Sequence, residues 1–93
     1  MKLQELYKII EDRKRNLPSN SYTTTLFKKG LDKIVQKVGE ESVEILVAAK
    51  NRSKKRLIEE TSDFLYHLLV LLVKKGISIK EIEIELEKRD KKG

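Results

Sequence analysis

Glu41 and Glu44 stand three residues apart, and so do Glu60 and Asp63. A three-residue step on an α-helix puts two side chains on one face. Each pair is therefore a two-carboxylate patch wherever its segment is helical. Carboxylates brought together repel and raise one another's pKa, so a converging set needs a compensating cation. An all-oxygen set suits Mg²⁺, with Mn²⁺ as the alternative, better than Zn²⁺ or Cu²⁺. Mg²⁺ keeps part of its water shell and meets substrate phosphates. The chemistry it would supply is water activation and steadying of charge on a transferring phosphorus. Plain salt bridges to Lys37 and Lys74 are the simpler alternative use of the same acids.

Four helical segments must position these residues. The first, Leu3 to Asn16, carries Leu3, Leu6, Tyr7, Ile9 and Ile10 on one broad face and stops before Pro18. "SNSYTTT" follows and reads as a polar loop rich in hydroxyls and backbone N–H groups. The second helix runs from about Thr25 to Lys50, with Gly30 as its place to break. Asn51 closes it and Ser53 caps the third, about Lys54 to Lys75, which ends at Gly76. Ser78 with Glu81 makes a capping box for a fourth helix, about Ile79 to Arg89, striped by Ile79, Ile82 and Leu86.

On a helical wheel Leu31, Ile34, Val35, Val38, Ile45 and Ala49 share one face of the second helix, while Val43 and Val47 fall well away from it. The helix is thus expected to touch neighbours on more than one side. Lys37, Glu40, Glu41 and Glu44 fill the remaining sector. The third helix is apolar over more than half of its circumference, through Leu57, Ile58, Thr61, Phe64, Leu65, Leu68, Leu69, Leu71 and Leu72. One polar line remains: Glu60, Asp63, His67 and Lys74. A short turn near Asn51 makes the two helices antiparallel neighbours. Glu41 and Glu44 then come level with Glu60 and Asp63, and four carboxylates converge.

The chain has 93 residues and no cysteine, with a formal net charge of +6. Its length fits one all-α domain over residues 1–93, with a charged tail at about 89–93. Disulfides and thiolate metal sites are excluded, and a reducing cytoplasm fits. The longest apolar stretch, "FLYHLLVLLV", is too short to span a bilayer as a helix, so no membrane partner is expected. The basic excess would suit a nucleic acid, but aromatic residues are only 5% of the chain and leave little for base stacking. The basic clusters sit at segment ends and read as solvated faces.

Glu41-x-x-Glu44 followed by Glu60-x-x-Asp63 resembles the motif of the all-α nucleoside triphosphate pyrophosphohydrolases of the MazG type. The longer runs "SYTTTLFKKGLDKIVQKVGEESVE", "AAK" and "EETSDFLYHLLVLL" are similar to the phosphoribosyl-ATP pyrophosphohydrolases, over roughly residues 3 to 88. The resemblance implies an antiparallel bundle of four to five helices completed by homodimerisation or a higher homo-oligomer. It implies a nucleotide substrate, phosphoribosyl-ATP, split at its α–β phosphoanhydride to phosphoribosyl-AMP and pyrophosphate in the second step of histidine biosynthesis. It implies a Mg²⁺ requirement and a stand-alone form without a fused cyclohydrolase.

Under that reading Glu41, Glu44, Glu60 and Asp63 hold Mg²⁺, directly or through water. Glu40 is the candidate to orient or deprotonate the attacking water. Lys37 and one of Lys28 and Lys29 contact phosphate, with Ser21, Tyr22 and Thr23 donating hydrogen bonds and His67 completing the site. Two other functions use the same residues differently. A house-cleaning pyrophosphohydrolase of non-canonical nucleotides would share the four acids, and a basic helical nucleic-acid-binding module would leave them idle.

Overall fold

The computed structural model describes residues 1–90, and the last part of the expected charged tail, 91–93, lies outside them. Five helices follow one another: α1 (Leu3–Asn16), α2 (Tyr22–Lys29), α3 (Leu31–Lys50), α4 (Lys54–Lys75) and α5 (Ile79–Asp90). No strand occurs among the described residues. The chain is all-α, as the periodicity demands.

The helix ends obey local chemistry. Leu17 takes a left-handed conformation after α1, and its N–H bonds Arg13 O at 2.8 Å. Ser21 caps α2, accepting from Thr24 N at 3.3 Å. Ser53 caps α4 by accepting from Arg56 N at 3.2 Å, and Asn51 Oδ1 accepts from Ser53 N at 3.2 Å. The expected capping box forms at α5: Glu81 N donates to Ser78 Oγ at 3.2 Å, and Ser78 N donates to Glu81 Oε2 at 2.7 Å.

One expectation needs correction. "SNSYTTT" is not a loop through its length, because Tyr22 to Thr25 form the first turn of α2 and Thr23 and Thr24 are buried. The Ser21 cap and burial of the threonine methyl groups outweigh the modest helix propensity of threonine. The break expected at Gly30 does occur, and it divides the second segment into α2 and α3. Gly30 has φ 92° and ψ −175°, a conformation essentially confined to glycine, and it redirects the chain between α2 and α3.

Tyr7 and Ile10 of α1, Leu26 and Phe27 of α2, Ile34 of α3, and Leu69, Val70 and Val73 of α4 form one core. The core uses only part of each expected apolar face. Leu3 and Ile9 of α1 remain exposed, and α3 buries only Ile34 and Ala48. Val43, Leu46 and Val47 point to solvent, with Leu46 66% exposed. The neighbours expected on the second side of α3 are thus not supplied by the described residues. α5 buries no residue, and Ile82 and Leu86 of its stripe are open.

Candidate active site

α3 and α4 make the most extensive helix contact in the chain. Across it, carboxylate oxygens of Glu41, Glu60 and Asp63 all come within 4.8 Å of one another. The side chains of Glu41 and Glu60 are each only 13% exposed. Two largely desolvated carboxylates so close together require positive charge. One basic residue on each helix provides it. Lys37 Nζ lies 3.6 Å from Glu41 Oε1, and Arg56 Nη2 lies 3.4 Å from Glu60 Oε1. Both pairs have i,i+4 spacing, so each helix brings its own countercharge one turn before its acid.

Glu44 is exposed and is not one of the three clustered acids. The level meeting of four carboxylates is therefore reduced to three in this arrangement. The helical step from Glu41 to Glu44 carries the second acid around α3 as well as along it. Glu40 is also exposed. Its carboxylate accepts from Gln36 Nε2 at 2.9 Å and lies 3.3 Å from Lys37 Nζ. Those hydrogen bonds, that from Gln36 foremost, hold its pKa below the usual glutamate value. Glu40 is thus an ionised acceptor and holds a proton weakly. Lys37 has its pKa raised: burial works against the ammonium, and the hydrogen bond to Glu40 with the negative charges of Glu40 and Glu41 outweighs it.

The hydroxyls expected to face phosphate have partners inside the chain. Ser21 Oγ caps α2, and Thr23 Oγ1 shares a short hydrogen bond with the Tyr66 hydroxyl. The Tyr22 hydroxyl lies 3.2 Å from His67 Nε2, and His67 Nδ1 lies 2.8 Å from Asp63 O. A carbonyl only accepts, so Nδ1 carries the hydrogen, and in the neutral ring Nε2 accepts from Tyr22. His67 is buried, and it touches Asp63 through the backbone carbonyl without joining the three-acid cluster. Lys28 and Lys29 are exposed in the last turn of α2, about 10 Å along the helix from Tyr22 at 1.5 Å per residue. Lys74 enters no ion pair among the described residues.

Arg56, Gln36 and Tyr66 were not foreseen from sequence. The spacing of Arg56 before Glu60 repeats that of Lys37 before Glu41 and could have revealed it. Tyr66 looks like one more apolar residue of α4 until α2 is placed beside it. A separate groove of about 560 Å³ lies between Lys14 and Arg15 of α1 and Gly76 and Ser78 after α4, and no predicted site residue lines it.

The three clustered acids could hold a divalent cation. Residues 3–90 match the family described as PRA-PH, phosphoribosyl-ATP pyrophosphohydrolase. The chain belongs to this family. As a phosphoribosyl-ATP pyrophosphohydrolase family member it is similar to curated relatives along nearly its whole length. It is 53% identical over 90 residues to the phosphoribosyl-ATP pyrophosphatase of Clostridium novyi, covering 97% of this chain and 82% of that protein. Identity to the enzyme of the same name from Lactiplantibacillus plantarum is 54% over 90 residues, covering 97% and 85%. It is also 52% identical over 90 residues to the histidine biosynthesis bifunctional protein HisIE of Caldanaerobacter subterraneus, covering 97% of this chain and 44% of that protein.

No helix among the described residues is long and apolar enough to cross a membrane.

Proposed function

We propose that this chain hydrolyses phosphoribosyl-ATP to phosphoribosyl-AMP and pyrophosphate in histidine biosynthesis, and that it does so with Mg²⁺ held by carboxylates of α3 and α4. The observation that carries the metal reading is the meeting of Glu41, Glu60 and Asp63 within 4.8 Å. Three carboxylates, two of them largely shielded from water, form an oxygen-only donor set that fits a hard divalent ion. Glu44 would join them through water. The bound ion would supply charge compensation for phosphate oxygens and an acidified water.

The chain's own groups have distinct tasks. Lys37 and Arg56 balance the acids, and Lys37 also turns toward substrate phosphate. Glu40, an exposed acceptor, orients or deprotonates the attacking water. The start of α2 lies against α4 beside the cluster and contributes contacts to the nucleotide.

The whole span acts as one domain, because α1 to α4 share one core. α3 and α4 run antiparallel, a reading supported by acids that lie at similar distances on either side of the Asn51–Ser53 turn. The working form is a homodimer or larger homo-oligomer. The apolar face of α3 left open by its own chain supports this.

Pyrophosphate release from phosphoribosyl-ATP, with and without Mg²⁺, tests the reading. Release is expected only with the ion. Glu41→Gln and Asp63→Asn should each lose at least tenfold in Mg²⁺ affinity by calorimetry, about one charge-assisted contact, and most of the activity. Lys37→Met should raise KM. Wild-type affinity and turnover in both acid variants would overturn the metal assignment. Faster hydrolysis of non-canonical nucleoside triphosphates than of phosphoribosyl-ATP would overturn the substrate.

A further inference from the structure

Two consecutive residues of α2 pair with two consecutive residues of α4. Thr23 bonds Tyr66, and Tyr22 bonds His67. The three rings also pack together. Tyr22 stacks on Tyr66 with centroids 6.2 Å apart, and His67 meets both edge-on, at 5.9 Å from Tyr22 and 4.9 Å from Tyr66. α2 otherwise packs chiefly on α1 and α3, so these side chains are its polar link to α4.

The imidazole has two different jobs. Its Nδ1–H is committed to the carbonyl of Asp63, a residue of the acidic cluster. Its Nε2 bonds the Tyr22 hydroxyl, as acceptor when the ring is neutral. The ring is buried, while Tyr22 is 51% exposed. One end of the linkage is thus rooted in α4, and the other ends on a side chain open to a ligand.

We propose that Tyr22 and His67 are positioning residues, forming a latch that fixes the first turn of α2 against the backbone of Asp63 and so sets where the nucleotide sits relative to the carboxylates. Neither takes part in bond making. The inference rests on the function proposed above for its kinetic consequence but not for the latch itself. Any residue that touches substrate from the start of α2 depends on this linkage for its place. Loss of the latch should weaken substrate binding while leaving the carboxylates able to bind the ion.

His67 is the only histidine, so its ring nitrogens give unambiguous signals in ¹⁵N–¹H NMR of the full chain. Tyr22→Phe should move the Nε2 resonance, because it removes the hydroxyl bonded to that nitrogen. Kinetically, Tyr22→Phe and His67→Phe should each raise KM for phosphoribosyl-ATP roughly five- to tenfold, the scale of one net hydrogen bond. The effect on kcat should be smaller, and Mg²⁺ affinity by calorimetry should stay unchanged. The double variant should be no worse than His67→Phe alone, because that substitution already removes the bond lost in Tyr22→Phe together with the one to Asp63 O. His67→Gln, which keeps an acceptor for Tyr22, should recover part of the loss that His67→Phe shows.

An Nε2 signal indifferent to Tyr22→Phe would overturn the latch, as would additive effects in the double variant. So would a normal KM in Tyr22→Phe with a raised KM in Tyr22→Ala, which would mean that the ring, not the hydroxyl, meets substrate. A wild-type chain inactive on phosphoribosyl-ATP would sink the functional reading instead, and the NMR result would still decide the latch.

Discussion

Thr24 shows how tightly the start of α2 is committed. Its side-chain oxygen is buried without a hydrogen-bond partner among the described residues, and the residue is 2% exposed. A buried hydroxyl without a partner costs about 1–3 kcal/mol of desolvation. Thr24→Val keeps the shape and removes the hydroxyl. Stability by urea unfolding should therefore rise by about 1 kcal/mol. A loss of stability would show that the hydroxyl has a partner in solution. At the same scale, the acids Glu41, Glu60 and Asp63 were legible from their spacing alone, since residue type and a three-residue step suffice to place two carboxylates on a helix face. The partners of Tyr22 and Thr23 were not, because Tyr66 and His67 lie 43 and 45 residues away along the chain.

Gly30 decides the path of the helices. Its φ of 92° with ψ of −175° falls in a region that a Cβ makes costly, although no neighbouring atom would meet that Cβ. The penalty of Gly30→Ala is therefore conformational, about 1–3 kcal/mol. Chemical denaturation should show a loss of that size. An unchanged midpoint would mean that α2 and α3 tolerate a different junction. The glycine marked a break in the sequence, but the direction of α2 after it was not readable. That direction depends on what Leu26 and Phe27 pack against. Likewise, hydroxyl-rich "SYTTT" reads as a loop by composition and becomes helix once two of its threonines find a buried place.

Over the whole molecule, the radius of gyration is 14.6 Å, against about 12 Å for a compact chain of this length. A single chain with open apolar residues on α3 and α5 has surface left to cover. Val47→Asp places a charge in the middle of that α3 face. Light scattering should give an oligomer for the wild type and a monomer for the variant. Oligomers of equal mass in both would remove this face from the interface.

Alkaline stability is a second property of the whole fold. Tyr7 and Tyr66 have pKa values raised above their ordinary 10.0, in both cases chiefly by burial. Tyr7 donates to Ile77 O at 2.6 Å, which favours its neutral phenol, whereas at Tyr66 burial outweighs the hydrogen bond with Thr23, which works in the opposite direction. The unfolded chain then releases these protons first, and stability falls as pH rises above about 10. Tyr66→Phe should be less stable at neutral pH through the lost hydrogen bond, yet show a shallower decline above pH 10. An unaltered slope would show that Tyr66 does not carry this dependence.

Helix content, the α3–α4 turn, the capping signals and the acidic pairs were determined by the sequence itself, because each rests on interactions within a few residues. The periodicity also showed that α3 and α4 were apolar on too many sides for a lone helix pair. Only the tertiary structure decided which acids meet, that Arg56 joins Lys37 as countercharge, and that His67 faces Tyr22 rather than solvent. Those outcomes depend on helix rotation and on the bend at Gly30. Both are set by packing across the core, where no local pattern specifies the partner.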